Sequence, residues 1–171
     1  MSLNIHPIIV HFPIAFLFVY SFVKILPLHK WLPNVAWLDI QKILVTVGVL
    51  GAFVASSTGE IASELVQVNH DLIEAHELFA GITTWLYVIL LISEFLPWIN
   101  LKFIEKLQQY KIYNLSLILE KFISNKTLGI LLAFCALVAV VCTGMLGGVI
   151  VYGPTLDPLA PILLNILGIN L

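Results

Sequence analysis

His6 and His11 open the chain, His70 and His76 stand in a second stretch far along it, and five of the ten acidic residues fall between Glu60 and Glu77. A neutral imidazole offers one nitrogen lone pair to a metal or a proton. Two imidazoles at one depth on different helices are what a b-type haem requires, one from each side of the macrocycle. Imidazoles mixed with carboxylates can instead hold zinc, or copper in its oxidised state.

The first stretch reads His6-Pro7-Ile8-Ile9-Val10-His11-Phe12-Pro13. Proline is comfortable at the first helical position, where its missing N–H would be unpaired anyway, so a helix is expected from Pro7 with His11 about one turn in. Pro13 cannot bond to the Ile9 carbonyl, which leaves a spare acceptor and a kink beside His11. In the second stretch, Asp71 followed by Glu74 resembles an acidic cap with its reciprocal partner, so a helix is expected to begin near Leu72 with His76 about one turn in. His11 and His76 are therefore expected at matching depth, facing each other across the protein.

A ring between them needs room. Gly48, Ala52, Ala55 and Gly59 recur at helical spacing on one side of it, and Thr143, Gly144, Gly147 and Gly148 cluster on the other. Close helix packing explains the same small residues, including the GxxxG spacing of Gly144 and Gly148. Glu60 follows Ser56-Ser57-Thr58-Gly59 and can fix the tautomer of a histidine by a hydrogen bond. His6, His70 and Glu60 join His11 and His76 as ligands if the site holds a metal ion. Asp71, Glu74 and Glu77 read as a solvated loop, and His29, beside Lys30, as a surface residue.

The elements that position these groups follow from composition. With 60% hydrophobic residues, 11% charged and a mean hydropathy of +1.04, a soluble domain of 171 residues would leave too much apolar surface in water. Four runs, about 8–26, 43–61, 78–97 and 128–151, have the length of a bilayer crossing. The expected fold is an all-α membrane protein, one domain of four transmembrane helices in an up-down bundle. All eight basic residues are lysines, confined to 24–42 and 102–126. Loops rich in lysine stay on the cytoplasmic side, so the N- and C-termini and the 60–77 segment are expected on the periplasmic side of a bacterial inner membrane. The N-terminus has no basic leader and reads as a retained first helix.

Lysines alternating with apolar residues over about 101–124 suggest a helix lying on the cytoplasmic lipid surface, or a polar connection with an apolar underside. The apolar tail from Pro158 is too short to span and is expected to rest on the outer interface or over the bundle mouth. Cys135 and Cys142, seven residues apart on one helix, stand about 10 Å apart along its axis, too far for a disulfide. Glu94, near the cytoplasmic end of the third span, reads as an interface residue or, in a transport protein, as an exit group, and no ionisable residue is placed near the middle of a helix. Nothing suggests a nucleotide loop, a nucleophile with its base, or a nucleic-acid patch.

The elements His6-Pro-x-x-Val-His11-Phe-Pro-Ile-Ala, Thr58-Gly59, His76 and Gly147-Gly-x-x-Val-Tyr152 resemble the bacterial predicted-membrane family catalogued as domain of unknown function 2231. The likeness runs from His6 to about Gly153. That family is itself distantly similar to four-helix cytochromes b, and some members are fused to cytochrome c modules, so the resemblance implies electron transfer. Relatives place a histidine soon after the counterpart of Tyr152, where this chain continues Gly153-Pro154-Thr155. A second histidine pair near the cytoplasmic side is also missing, so one haem at most is expected. The leading expectation is one haem b held by His11 and His76, passing electrons between a quinone or membrane partner and a periplasmic redox protein. The alternatives are a zinc or copper binding or transport protein, and a structural subunit of a homo-oligomer or larger membrane complex.

Overall fold

The computed structural model describes residues 4–107, 121, 125–155 and 157–169. It is all-helical: among the described residues there is no strand. The helices are α1 (His6–Ile9), α2 (His11–Ile25), α3 (Leu28–Trp31), α4 (Trp37–Ser63), α5 (His70–Leu107), α6 (Lys126–Tyr152) and α7 (Ala160–Leu167). Among the described residues, four spans are long and apolar enough to cross a membrane: α1 with α2, α4, the 70–100 part of α5, and α6. Only about a third of each is buried in the protein, so most of each apolar surface is left for lipid.

The ends of these spans follow local chemistry. Pro13 lacks the N–H that would bond to Ile9, and the ladder is interrupted at Val10. Val10 nonetheless keeps helical dihedrals, φ −63° and ψ −25°, so α1 and α2 form one crossing. At α5 the cap is Asn69 rather than Asp71: its Oδ1 accepts from the Asp71 N–H at 2.9 Å, and the helix starts two residues earlier than the sequence suggested. It also runs through Pro97, a residue that membrane helices tolerate, instead of stopping there. α4 begins at Trp37 rather than near 43, and α6 begins at Lys126 because the Asn125 side chain accepts from the N–H groups of Thr127 and Leu128. Of the 101–124 segment, the described backbone shows α5 continuing to Leu107; the expected interfacial helix otherwise lies outside the described residues.

The spans pack in a ring: α2 on α4, α4 on α5, α5 on α6, and α6 back on α2. The α1–α2 span and α5 are thus diagonal partners across the bundle axis. In lipid there is no gain from hiding apolar side chains from water, so close packing and polar contacts must hold the ring. Gly48 shows how tightly α4 meets α2: a Cβ there would stand 2.7 Å from Leu17 Cγ, and Leu17 is fully buried. Gly51 meets Pro13 in the same seam. The tail covers one end of the ring, where Ala160, Leu164 and Ile169 pack with Leu72, Leu146 and Val149. Cys135 is exposed and Cys142 half-buried on α6, and neither is bonded.

Because Leu17 fills the space over Gly48, Gly48→Ala should destabilise the bundle by about 1–3 kcal/mol through overpacking. The check is a thermal midpoint in detergent, and adding Leu17→Ala should recover part of the loss. An unchanged midpoint for Gly48→Ala would contradict this packing.

Candidate functional site

The inward face of the first span is His6, Pro13, Leu17, Tyr20 and Lys24, spaced 7, 4, 3 and 4 residues apart. On α5 the inward residues His76, Thr83, Tyr87, Leu90 and Glu94 repeat those spacings with every number raised by 70. Steps of 3, 4 and 7 keep side chains on one helical face. Diagonal helices therefore present matching stripes to the bundle axis, a histidine at one end of each and a charged residue at the other.

The histidines are seated alike. His6 Nδ1 lies 3.0 Å from Thr58 Oγ1 on α4, and the Ala55 carbonyl is in hydrogen-bonding range of the same ring. The Thr58 hydroxyl spends its own hydrogen on the Ala55 carbonyl, 2.9 Å away, so Thr58 Oγ1 can only accept from His6. His76 Nδ1 donates to the Thr143 carbonyl on α6 at 3.1 Å. Each ring also lies against a glycine: a Cβ on Gly59 would stand 3.2 Å from His6 Cε1, and one on Gly147 would stand 3.2 Å from His76 Cε1. Each glycine is four residues beyond the carbonyl its histidine reaches, Ala55 to Gly59 and Thr143 to Gly147. The two helical hairpins thus repeat one device about an axis along the bundle.

The consequence is chemical. With Nδ1 carrying the proton in both rings, the lone pair of each neutral imidazole sits on Nε2, the state in which histidine ligates a metal, and the bond at Nδ1 orients the ring as outer partners of ligating histidines do. His6 on the first span and His76 on α5 stand at the same end of the two matching stripes.

The pair that the structure gathers is His6 with His76, not His11 with His76. His11 is exposed, with Nδ1 against the Pro7 carbonyl of its own helix. Five residues separate it from His6, a turn of about 140° around the helix, so when His6 faces the axis His11 faces away. Depth selected His11 in the sequence; facing selects His6, and the shared 7-4-3-4 spacing was the available signal. Glu60 is exposed and does not reach a histidine; Thr58 takes the orienting role. His70 is exposed and pairs with Glu74 on the surface, 3.1 Å away. Of the small residues, Gly59 belongs to the site, while Gly48 is occupied by Leu17. Gly144 and Gly148 line a flank groove of about 370 Å³ with Ile14, Phe18 and Tyr152, which neither histidine lines. Among the described residues, no three His, Cys, Asp or Glu side chains converge as a metal site would need.

The other end of the stripes was read wrongly from sequence. Glu94 is buried, not interfacial; its Oε1 receives Lys24 Nζ at 2.6 Å and the Tyr20 hydroxyl at 2.9 Å.

The seating predicts that both histidines carry hydrogen on Nδ1. Solid-state nitrogen NMR of histidine-labelled protein should show that tautomer for His6 and His76, and Thr58→Val should disturb His6 alone. Hydrogen on Nε2 in either would contradict the assignment.

No curated protein and no solved structure matches this chain. A family model described as "predicted membrane protein (DUF2231)" matches residues 2–156. With its four apolar spans, the chain belongs to that family of multi-pass membrane proteins.

Proposed function

We propose that this protein holds one b-type haem through His6 and His76 and passes single electrons at the histidine end of the bundle. The observation that carries the reading is the paired seating: two half-buried imidazoles on diagonal helices, each with Nδ1–H committed to a neighbouring helix and Nε2 left as the donor atom. His6 and His76 would hold such a group through one imidazole nitrogen each. A lone zinc or copper ion takes three or four protein ligands, more than this pair supplies, and the exposed His70 and Glu60 do not extend it.

In this reading the haem supplies one-electron redox chemistry, and the chain supplies the rest. Thr58 and the Thr143 carbonyl hold the rings in the ligating tautomer. Gly59 and Gly147 let each ring lie against a backbone, so ring and helix move as one unit. The tail, packed on Leu146 and Val149, keeps water from that end. In this reading the lysine-rich stretches 24–42 and 102–126 face the cytoplasm, so the histidine end is on the periplasmic side, where a soluble redox protein would meet it, with a quinone in the bilayer as the other partner.

The test is a reduced-minus-oxidised visible spectrum of protein purified with haem supplied during expression. About one haem per chain is expected, with sharp α and β bands typical of two histidine ligands. His6→Ala and His76→Ala should each lose it, and His11→Ala should keep it. Full haem content in either of the first two variants, or none in the unaltered protein, would falsify the proposal.

A further inference from the structure

At the end of the bundle opposite the histidines, the lipid-facing surface carries two opposite charges that pair with nothing among the described residues. Asp39 and Lys42 stand in the first turns of α4 and line a groove of about 450 Å³ with Ile43, Thr46, Val47 and Phe95. The α4 residues follow at steps of 3, 1, 3 and 1, which places them on one helical face, and Phe95 closes the groove from α5. Ile43 and Val47 are 61% and 42% exposed, so the groove opens to lipid and not to the bundle axis.

The depth of the groove follows from the chain around it. α4 begins at Trp37, and Trp31 and Trp98 stand at the same end with their side chains exposed, the level at which tryptophan gathers beside lipid headgroups. Asp39 and Lys42 therefore lie at headgroup level, with Ile43 and Val47 beside the upper part of the acyl chains. The Thr46 hydroxyl gives its hydrogen to the Lys42 carbonyl at 2.6 Å, so the groove beneath the charges presents no donor.

Residues three apart on a helix are neighbours and have the spacing to pair. Asp39 and Lys42 do not: the ion pairs among the described residues are Lys24 with Glu94 and His70 with Glu74. The half-buried Lys42 instead holds its ammonium over the Phe95 ring, 6.0 Å from the centroid. An ammonium on a ring face keeps its N–H donors for an anion. Asp39 is exposed and keeps its oxygens for a cation. One cation and one anion at headgroup level, above an apolar floor, form the complement of a zwitterionic phospholipid.

We propose that this groove binds one phospholipid whose headgroup ends in a primary ammonium, of the phosphatidylethanolamine type. Lys42 holds the phosphate, Asp39 accepts from the ammonium, and an acyl chain lies along Ile43, Val47 and Phe95. Asp39 and Lys42 are about 4.5 Å apart along the helix axis, a step that a phosphate and an ammonium joined by an ethylene unit can match. A quaternary ammonium has no N–H to give Asp39, and a net-negative headgroup lacks the cation that would offset the carboxylate. The groove joins α4 to α5, so a lipid seated in it ties the two hairpins together at this end.

The site does not depend on haem. The full chain is purified in detergent, stripped of lipid and titrated with phosphatidylethanolamine, phosphatidylcholine or phosphatidylglycerol of one acyl composition, and retained lipid is counted by native mass spectrometry. One phosphatidylethanolamine per chain should be held several-fold more strongly than either other lipid. Lys42→Gln should lower that retention several-fold, and Asp39→Asn should keep lipid bound while removing the preference over phosphatidylglycerol. Should a variant fail to fold, as judged by its elution profile, the three-lipid comparison on the unaltered protein decides. Equal retention of the three lipids overturns the proposal, as does an unchanged preference in folded Asp39→Asn or unchanged retention in folded Lys42→Gln. A lipid-free dimer that Lys42→Gln splits also overturns it, by assigning the groove to a second copy of the chain.

Discussion

A polar group inside a bilayer must find its partner within the protein, because lipid offers none. That constraint organises this molecule more than apolar burial does. Its apolar side chains are content against lipid, and most of each span faces it. The side chains that must be satisfied are His6, His76, Lys24, Glu94, Tyr20 and Tyr87, and all of them lie on two diagonal faces turned to the bundle axis, with Thr58 of α4 and the Thr143 carbonyl of α6 as partners of the histidines. The rotation of each span about its own axis is set by these groups. A small turn of the first span would bring His6 or Lys24 into hydrocarbon.

The same constraint explains why glycine is used so differently along the chain. Gly48 and Gly51 admit Leu17 and Pro13, bringing α2 and α4 together through apolar contact. Gly59 and Gly147 admit imidazoles, so the helix that bears a histidine is held to the next by a hydrogen bond and a ring packed on backbone. Stripes of small residues look alike in a sequence, yet one here closes a seam and another seats a functional group. Only the partner helix distinguishes them.

This marks where the sequence was legible. Four spans, their up-down order and the tail at one end follow from length and hydropathy, which report a transfer free energy summed over many residues and tolerate errors of a few positions. Helix ends were less legible, since caps such as Asn69 and Asn125 act through a single side chain. The site needed azimuth as well as depth. His11 and His6 are both near one end of the first helix, and choosing between them requires the face that Pro13, Leu17 and Tyr20 bury. That face could have been found by laying residues 6–24 on residues 76–94, where the spacings coincide.

Glu94 and Lys24 show a different limit. Each is unremarkable alone: a carboxylate near a helix end, and a lysine among lysines in a loop that sets topology. Their meaning arises from pairing between helices seventy residues apart, which no local pattern reports. Once paired, the lysine is no longer counted with its neighbours as a topological signal. It neutralises a buried carboxylate while keeping contact with the surface, which a fully enclosed cation could not do. At the opposite end, the acceptor at each Nδ1 fixes where the hydrogen of the ring sits. The bundle therefore holds its described buried ion pair at one end and its donor nitrogens at the other. An interior built this way is asymmetric along the axis even though the two hairpins repeat around it.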